Sequence, residues 1–159
     1  MTSPEIINLV HDLLSSVPEL AEIQEWNKAN SLVTLASTGG SIGIEKEEFE
    51  AYTRDEDEAT AYLSIVLWIK NADPVEGEAQ VRALAQAARK VLIKYRTLNG
   101  AVDDSFVHKI NYATADGGKS IMLHLAELDY RVSYMAERSE SDNEDLPAPD
   151  TIEQDLGRV

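Results

Sequence analysis

Hydrophobic positions along this chain change period several times, and each change marks an element. Ile6, Val10, Leu13, Leu14 and Val17 recur at helical spacing. Ser3 reads as the N-cap of that helix, with Pro4 at its first position and Glu5 in its first turn. Pro18 ends the helix or permits a short second turn from Leu20 to Trp26. Leu32-Val33-Thr34-Leu35 is expected as a short strand and Gly39-Gly40 as a loop. Ile42 to Tyr52 reads as extended, acidic and irregular near Lys46-Glu47, and Arg54 to Glu58 as an exposed turn. From Ala61 to Lys70 the period becomes two: Leu63, Ile65, Leu67 and Ile69 take one face, and Tyr62, Val66 and Trp68 the other. Both faces are largely apolar, which predicts a central strand.

Asp73-Pro74 then opens the longest helix, with Asp73 as N-cap, running to Leu98 and stopping at Asn99-Gly100. Val81, Leu84, Ala88, Val91, Leu92 and Tyr95 form its core stripe, and Arg82, Arg89, Lys90, Lys94 and Arg96 lie roughly opposite. Phe106, His108, Ile110 and Tyr112 alternate with Val107, Lys109, Asn111 and Ala113, Asp116-Gly117-Gly118 follows, and a long strand runs from Ile121 to Met135. Matching apolar faces predicts a hairpin with Phe106, His108, Ile110 and Tyr112 opposite Glu127, Leu125, Leu123 and Ile121. Trp68, Tyr95, Phe106, Tyr112 and Tyr130 fall on expected core faces.

The final strand begins apolar at nearly every position, Ile121 to Leu125, and ends half solvated. There Leu128, Tyr130, Val132 and Tyr134 share one face, and Glu127, Asp129, Arg131 and Ser133 the other. Globular strands usually stop at about five or six residues. A longer one has outgrown its own core, and its end is a place to meet a neighbour. Tyr134 sits where the strand leaves the core, so packing and interface roles are both open for it.

The order helix, poorly marked strands, strong strand, long helix, strand, strand lacks the regular alternation of a doubly wound fold. The expected class is α+β: a mostly antiparallel sheet with two main helices packed on one face and a long C-terminal hairpin. Residues 1–137 form one domain in this reading. Residues 138–159, rich in acid and containing Pro147-Ala148-Pro149, form a flexible C-terminal tail.

Charge sharpens the picture. Net charge is −15 over 159 residues, which disfavours conventional nucleic-acid binding. The acid is clustered at Glu45, Glu47, Glu48 and Glu50, at Asp55, Glu56, Asp57 and Glu58, and in the tail. Such blocks are solvated surface in the plain reading. In the sharper one they face a basic partner or line a channel. The outer face of the Pro74 helix is the one substantial basic surface in the sequence. No apolar run is long enough to cross a membrane, no secretory leader is recognisable, and cysteine is absent, which fits synthesis in the cytoplasm.

No catalytic constellation emerges. His11, His108 and His124 do not converge in the expected register, so no metal site is assigned. Gly39-Gly40-Ser41-Ile42-Gly43 lacks the lysine of a phosphate loop, and Asp116-Gly117-Gly118-Lys119-Ser120 leads into a strand rather than a helix. Asp103-Asp104 and Asp55 to Glu58 lack the spacing of a dedicated cation loop. No cofactor is expected, and the chain is read as a non-enzyme.

The layout of N-terminal helix, acidic extended segment Ile44 to Tyr52, strand Ala61 to Lys70, helix Pro74 to Leu98 and a hairpin ending in Leu128-Asp129-Tyr130-Arg131-Val132-Ser133-Tyr134 resembles the tail terminator, or tail completion, proteins of tailed bacteriophages. The resemblance covers roughly Ser3 to Glu137, is architectural, and rests on no diagnostic motif. The acidic tail from Glu137 departs from the family's compact pattern. The resemblance implies a virion protein of the tail or neck, made in the host cytoplasm. It would form a homo-oligomeric ring, usually a hexamer, that caps the tail tube protein and meets a head-completion or connector protein. DNA would pass through an acidic lumen without specific binding. Residues expected at subunit or partner interfaces are Asp55, Glu56, Asp57, Glu58, Arg82, Arg89, Arg131 and Tyr134. The rival readings are a small acidic interaction module or adaptor that holds a basic partner, and a metal-dependent hydrolase using Asp103, Asp104 and a histidine.

Overall fold

The computed structural model of the chain describes residues 1–29, 36–116 and 121–138. Helix α1 spans Ser3–Ser16 and buries Ile6, Val10 and Leu14. A 3-10 turn follows at Pro18–Leu20 and a short strand β1 at Glu25–Asn27. Three long elements come next: β2 (Thr38–Ala51), β3 (Glu56–Lys70) and helix α2 (Pro74–Lys94). The hairpin β4 (Asp104–Asp116) and β5 (Met122–Glu137) ends the described chain. The sheet order is β1-β2-β3-β5-β4, antiparallel except for the β1–β2 pair, and the two helices pack on one face. The expected α+β class is what the structure has.

The core lies between the helices and that face. β3 contributes Ala59, Ala61, Leu63, Ile65, Leu67 and Ile69, and β5 contributes Ala126, Leu128, Tyr130, Val132 and Tyr134. From α2 come Val81, Leu84, Ala85, Ala88, Val91 and Leu92. β3 is central, as its two apolar faces required. Asp73 caps α2, its carboxylate accepting from the amides of Val75 at 3.0 Å and Glu76 at 3.3 Å. That helix ends at Lys94, earlier than its pattern suggested. The chain then turns through Leu98, Asn99 and Gly100, all with φ between 50° and 85°.

Several local expectations are corrected. The N-cap of α1 is Thr2, so Ser3 and Pro4 already lie inside the helix. Trp26 belongs to β1, not to a helical turn. Gly39 and Gly40 are strand residues of β2 rather than a loop. A Cβ at Gly39 would lie 2.0 Å from the Trp68 ring and one at Gly40 2.5 Å from the Trp26 ring, so the glycines make room for two indoles. Glu56 to Glu58 belong to β3, which narrows the exposed turn to Tyr52–Asp55. The irregularity expected near Lys46 is a bulge between Ile44 and Lys46. The expected strand at Leu32–Leu35, the turn at Gly117–Ser120 and the tail beyond Arg138 lie outside the described residues.

The hairpin register is also different. Phe106 faces Arg131, Ile110 faces Leu128 and Tyr112 faces Ala126, with a register shift between Val107 and Lys109. His108 is the extra residue. It shifts the phase so that Val107 and Ile110 both face the core, which strict alternation cannot achieve. Phe106 and Tyr112 are therefore not core residues: they are 62% and 41% exposed. Nor is the start of β5 buried on both sides, since Ile121 is exposed and Leu123 and Leu125 are half-buried.

The strands do not end together. β4 pairs with β5 only as far as Ser133, whereas β3 accompanies β5 to Glu137. β1 covers only Gly39, Gly40 and Ser41 of β2. The sheet thus continues as a three-stranded arm, Lys46–Ala51, Glu56–Tyr62 and Arg131–Glu137, whose tip from Tyr134 onward lies beyond both edge strands.

Candidate assembly surface

The arm concentrates the acidic clusters. Glu50 faces Glu58 across β2 and β3, and Glu56 faces Glu137 across β3 and β5. Like charges directly opposite each other destabilise a sheet. The arm is held by other contacts. Arg138 reaches back over the tip, where Nε and Nη2 donate to Asp57 at 2.9 and 2.6 Å, Nη1 donates to the Arg54 carbonyl at 3.2 Å, and its backbone amide donates to the Asp55 carbonyl at 2.8 Å. Deeper in the arm, Tyr134 donates to Glu47 at 2.9 Å. Burial first, and then the Glu47 carboxylate, push the Tyr134 phenol well above its usual value. Phe49 and Tyr52 stand among these acids, 57% and 62% exposed.

On the sheet face away from the helices, Tyr62 sits between two cations. Lys46 Nζ lies 4.4 Å and the Arg131 guanidinium 4.9 Å from its ring centroid. The Tyr62 hydroxyl donates to Glu48. That bond, helped by Lys46, holds the Glu48 carboxyl below the usual range and raises the Tyr62 phenol. Arg131 Nε is buried with no hydrogen-bond partner among the described residues.

Helix α2 supplies the opposite charge. Val75, Arg82, Gln86, Arg89 and Ile93 recur at helical spacing as one stripe. Arg82 is tied to Glu78 at 2.7 Å, while Arg89, Lys90 and Lys94 form no ion pair among the described residues. At the end of the stripe, Ile93 (52% exposed) faces the Phe106 end of β4 across a cleft of roughly 450 Å³, lined also by Arg96, Asp104 and Ser105. Along that cleft Arg96 donates twice to Asp104, both at 2.8 Å, which holds the Asp104 carboxyl below its usual range.

The sequence-predicted interface residues thus fall in four places. Asp55, Glu56, Asp57 and Glu58 lie at the arm tip, with Asp57 engaged by Arg138. Arg82 and Arg89 lie on the α2 stripe, and among the described residues no ion pair joins them to the tip. Arg131 lies on the open face of the sheet. Tyr134 is buried on the helix side of the arm at 2% exposure, so it packs and bonds within its own subunit. Sequence reasoning missed Phe49, Ile93 and Phe106 as exposed apolar groups. An aromatic embedded in the acidic run Glu45 to Glu50 was the available signal for Phe49.

His11 bonds to Asp12, and His108 lies exposed at the β4 bulge. His124 is buried, its Nε2 3.1 Å from the Asn71 carbonyl. Among the described residues no group of three or more His, Asp or Glu is placed to hold a metal ion, and no helix is long and apolar enough to cross a membrane.

No family model matches the chain, and no curated protein matches it. Solved structures do include similar chains. One belongs to the virion of a native gene transfer agent particle: it is 14% identical, with a TM-score of 0.47, and the match covers 82% of this chain and 95% of that one. A likeness that distant leaves the functional reading to the geometry of the chain itself.

Proposed function

We propose that this chain is a structural assembly protein of a tailed-phage-like virion, working as a tail terminator or completion ring. The observation that carries the reading is the projecting acidic arm, whose facing carboxylates have no basic partner at Glu50, Glu56, Glu58 or Glu137 among the described residues. On another surface of the same subunit lie Arg89, Lys90 and Lys94 of α2, which form no ion pair among the described residues, and the long edge strand β4. Two different, complementary surfaces on one subunit make a heterologous contact, and such contacts close into rings when the rotation fits. The architectural likeness to tail terminators supplies the setting. In that setting the ring caps the tube protein, meets a connector protein with its other face, and lets DNA pass an acidic lumen that repels phosphate. The role is one of binding and closure, with no reaction assigned.

Light scattering over a concentration series, with negative-stain imaging, tests this. A closed ring with a central hole is the expected result. A particle that stays monomeric at every concentration, and does not bind tail tubes, overturns it. The facing carboxylates would then favour the rival reading, an acidic adaptor for a basic partner.

A further inference from the structure

Resting on the ring reading, we propose that the arm of one subunit docks on the α2–β4 cleft of the next, with Phe49 as the knob and the Ile93–Phe106 cleft as the socket. The occupant is a second copy of this chain. Three observations select that pairing. Phe49 and Ile93 are both more than half exposed, and they lie on different surfaces, one on the arm and one on α2. Their surroundings are opposite in charge: Phe49, opposite Ala59, has Glu48 and Glu50 as chain neighbours and Glu47 and Asp57 on its own face of the sheet, whereas Ile93 is flanked by Arg89, Lys90 and Lys94. On the other face of the thin arm, Glu50 and Glu58 repel each other in the free subunit, and cations brought close to the arm tip relieve that repulsion.

The socket is prepared for such a visitor. The two hydrogen bonds from Arg96 to Asp104 join the segment after α2 to the start of β4 beside the cleft. Filling the cleft with an aromatic ring removes Phe106 and Ile93 from water, and a buried aromatic in a pocket is the usual anchor of a protein interface. Knob and socket differ, so each subunit gives one and receives one. The contact then propagates in one direction until the ring closes.

The chain contains no cysteine, so single cysteines report contacts cleanly. Phe49→Cys and Ile93→Cys copies are mixed in equal amounts under mild oxidation and resolved by mass. The expected result is a 49–93 cross-link in clear excess over the 49–49 and 93–93 products. The excess should be lost at about 1 M salt, where charges are screened beyond roughly 3 Å. A statistical mixture of the three products overturns the proposal. In parallel, Phe49→Asp and Ile93→Asp are each expected to lose assembly with unchanged circular dichroism. Their mixture should form a species of two subunits, because one sound arm meets one sound socket.

The two readings fail separately. A wild-type ring without the 49–93 product overturns the knob and socket, and assigns the cleft to a different protein while the ring stands. A 49–93 product in a protein that never forms rings keeps the pairing and removes the ring.

Discussion

Tyr134 of β5 and Glu47 of β2 share a 2.9 Å hydrogen bond across β3, the strand that separates them. The bond passes over Ala59 and Ala61, which pair with Tyr134 and Glu47 respectively and are both buried. Small side chains on the middle strand leave the space that a tyrosine needs to reach across. The arm is therefore tied together on its helix side even though its opposite carboxylates repel.

Tyr134→Phe removes that tie and leaves the ring packing in place. A hydrogen bond to a charged group contributes about 1.5–3 kcal/mol when well buried, and the partly solvated Glu47 brings the expected loss nearer 1 kcal/mol. Urea denaturation measures it. Hydrogen exchange should quicken at Lys46–Ala51 more than in α2. Unchanged protection in the arm would show that the bond does not hold it.

Alkaline stability should depend on Tyr130, which is fully buried with its hydroxyl beside Ser105. Ser105 donates to the Arg96 carbonyl at 2.7 Å. Burial pushes the phenol from 10.0 up to about 12; the Ser105 hydroxyl offsets part of this and the charge of Asp104 adds to it. The folded state holds this proton more tightly than the unfolded state does. Its contribution is thus complete below the unfolded value of 10.0 and is lost as pH rises towards about 12. The difference corresponds to about 2–3 kcal/mol. Denaturation midpoints taken from about pH 9 to about pH 12 should fall; Tyr130→Phe should flatten part of the fall while costing little at neutral pH, and Tyr134→Phe should remove a further part.

Gly77→Ala tests the contact between α2 and β5. In an exposed helix interior this change stabilises by up to about 1 kcal/mol. Here the added Cβ would lie 2.2 Å from the His124 ring, which is itself buried and 3.1 Å from the Asn71 carbonyl. Overpacking of about 1–3 kcal/mol should outweigh the helix gain, lowering the thermal midpoint. Adding His124→Ala should make the alanine at 77 far less harmful, and two additive losses would contradict the clash.

What the sequence disclosed follows from what periodicity can carry. Asp73-Pro74, the α2 stripe and the two apolar faces of β3 are local patterns, and all three stand in the structure. The bulges at Ile44–Lys46 and Val107–Lys109 are insertions in phase, which an alternation rule cannot register. For that reason Phe106 read as core while Val107 holds the position. Gly39-Gly40 read as a loop because the rings that require glycine there, Trp68 and Trp26, are distant in sequence. The acidic segments were visible as composition. Their arrangement as facing pairs in one arm depends on the β2–β3–β5 register and on Arg138 folding back onto Asp57.

Charge reversal at Glu58 separates folding from assembly. Glu58→Lys replaces the repelling pair with Glu50 by an attractive one, and a favourable cross-strand pair contributes about 0.2–1 kcal/mol. Glu137→Lys does the same opposite Glu56. A protein whose acids serve only solubility should gain stability from both changes and lose nothing else. If the arm meets the cations of α2 on a neighbour, the same variants should unfold at higher urea yet assemble less well, because each places a positive charge against Arg89, Lys90 and Lys94. Charge reversal at Lys90 and Lys94 in a second copy should then restore association with the Glu58→Lys copy. Urea midpoints and light-scattering mass on the same preparations decide between them. Higher midpoints with unchanged mass would mean that the acid pairs are not a binding surface.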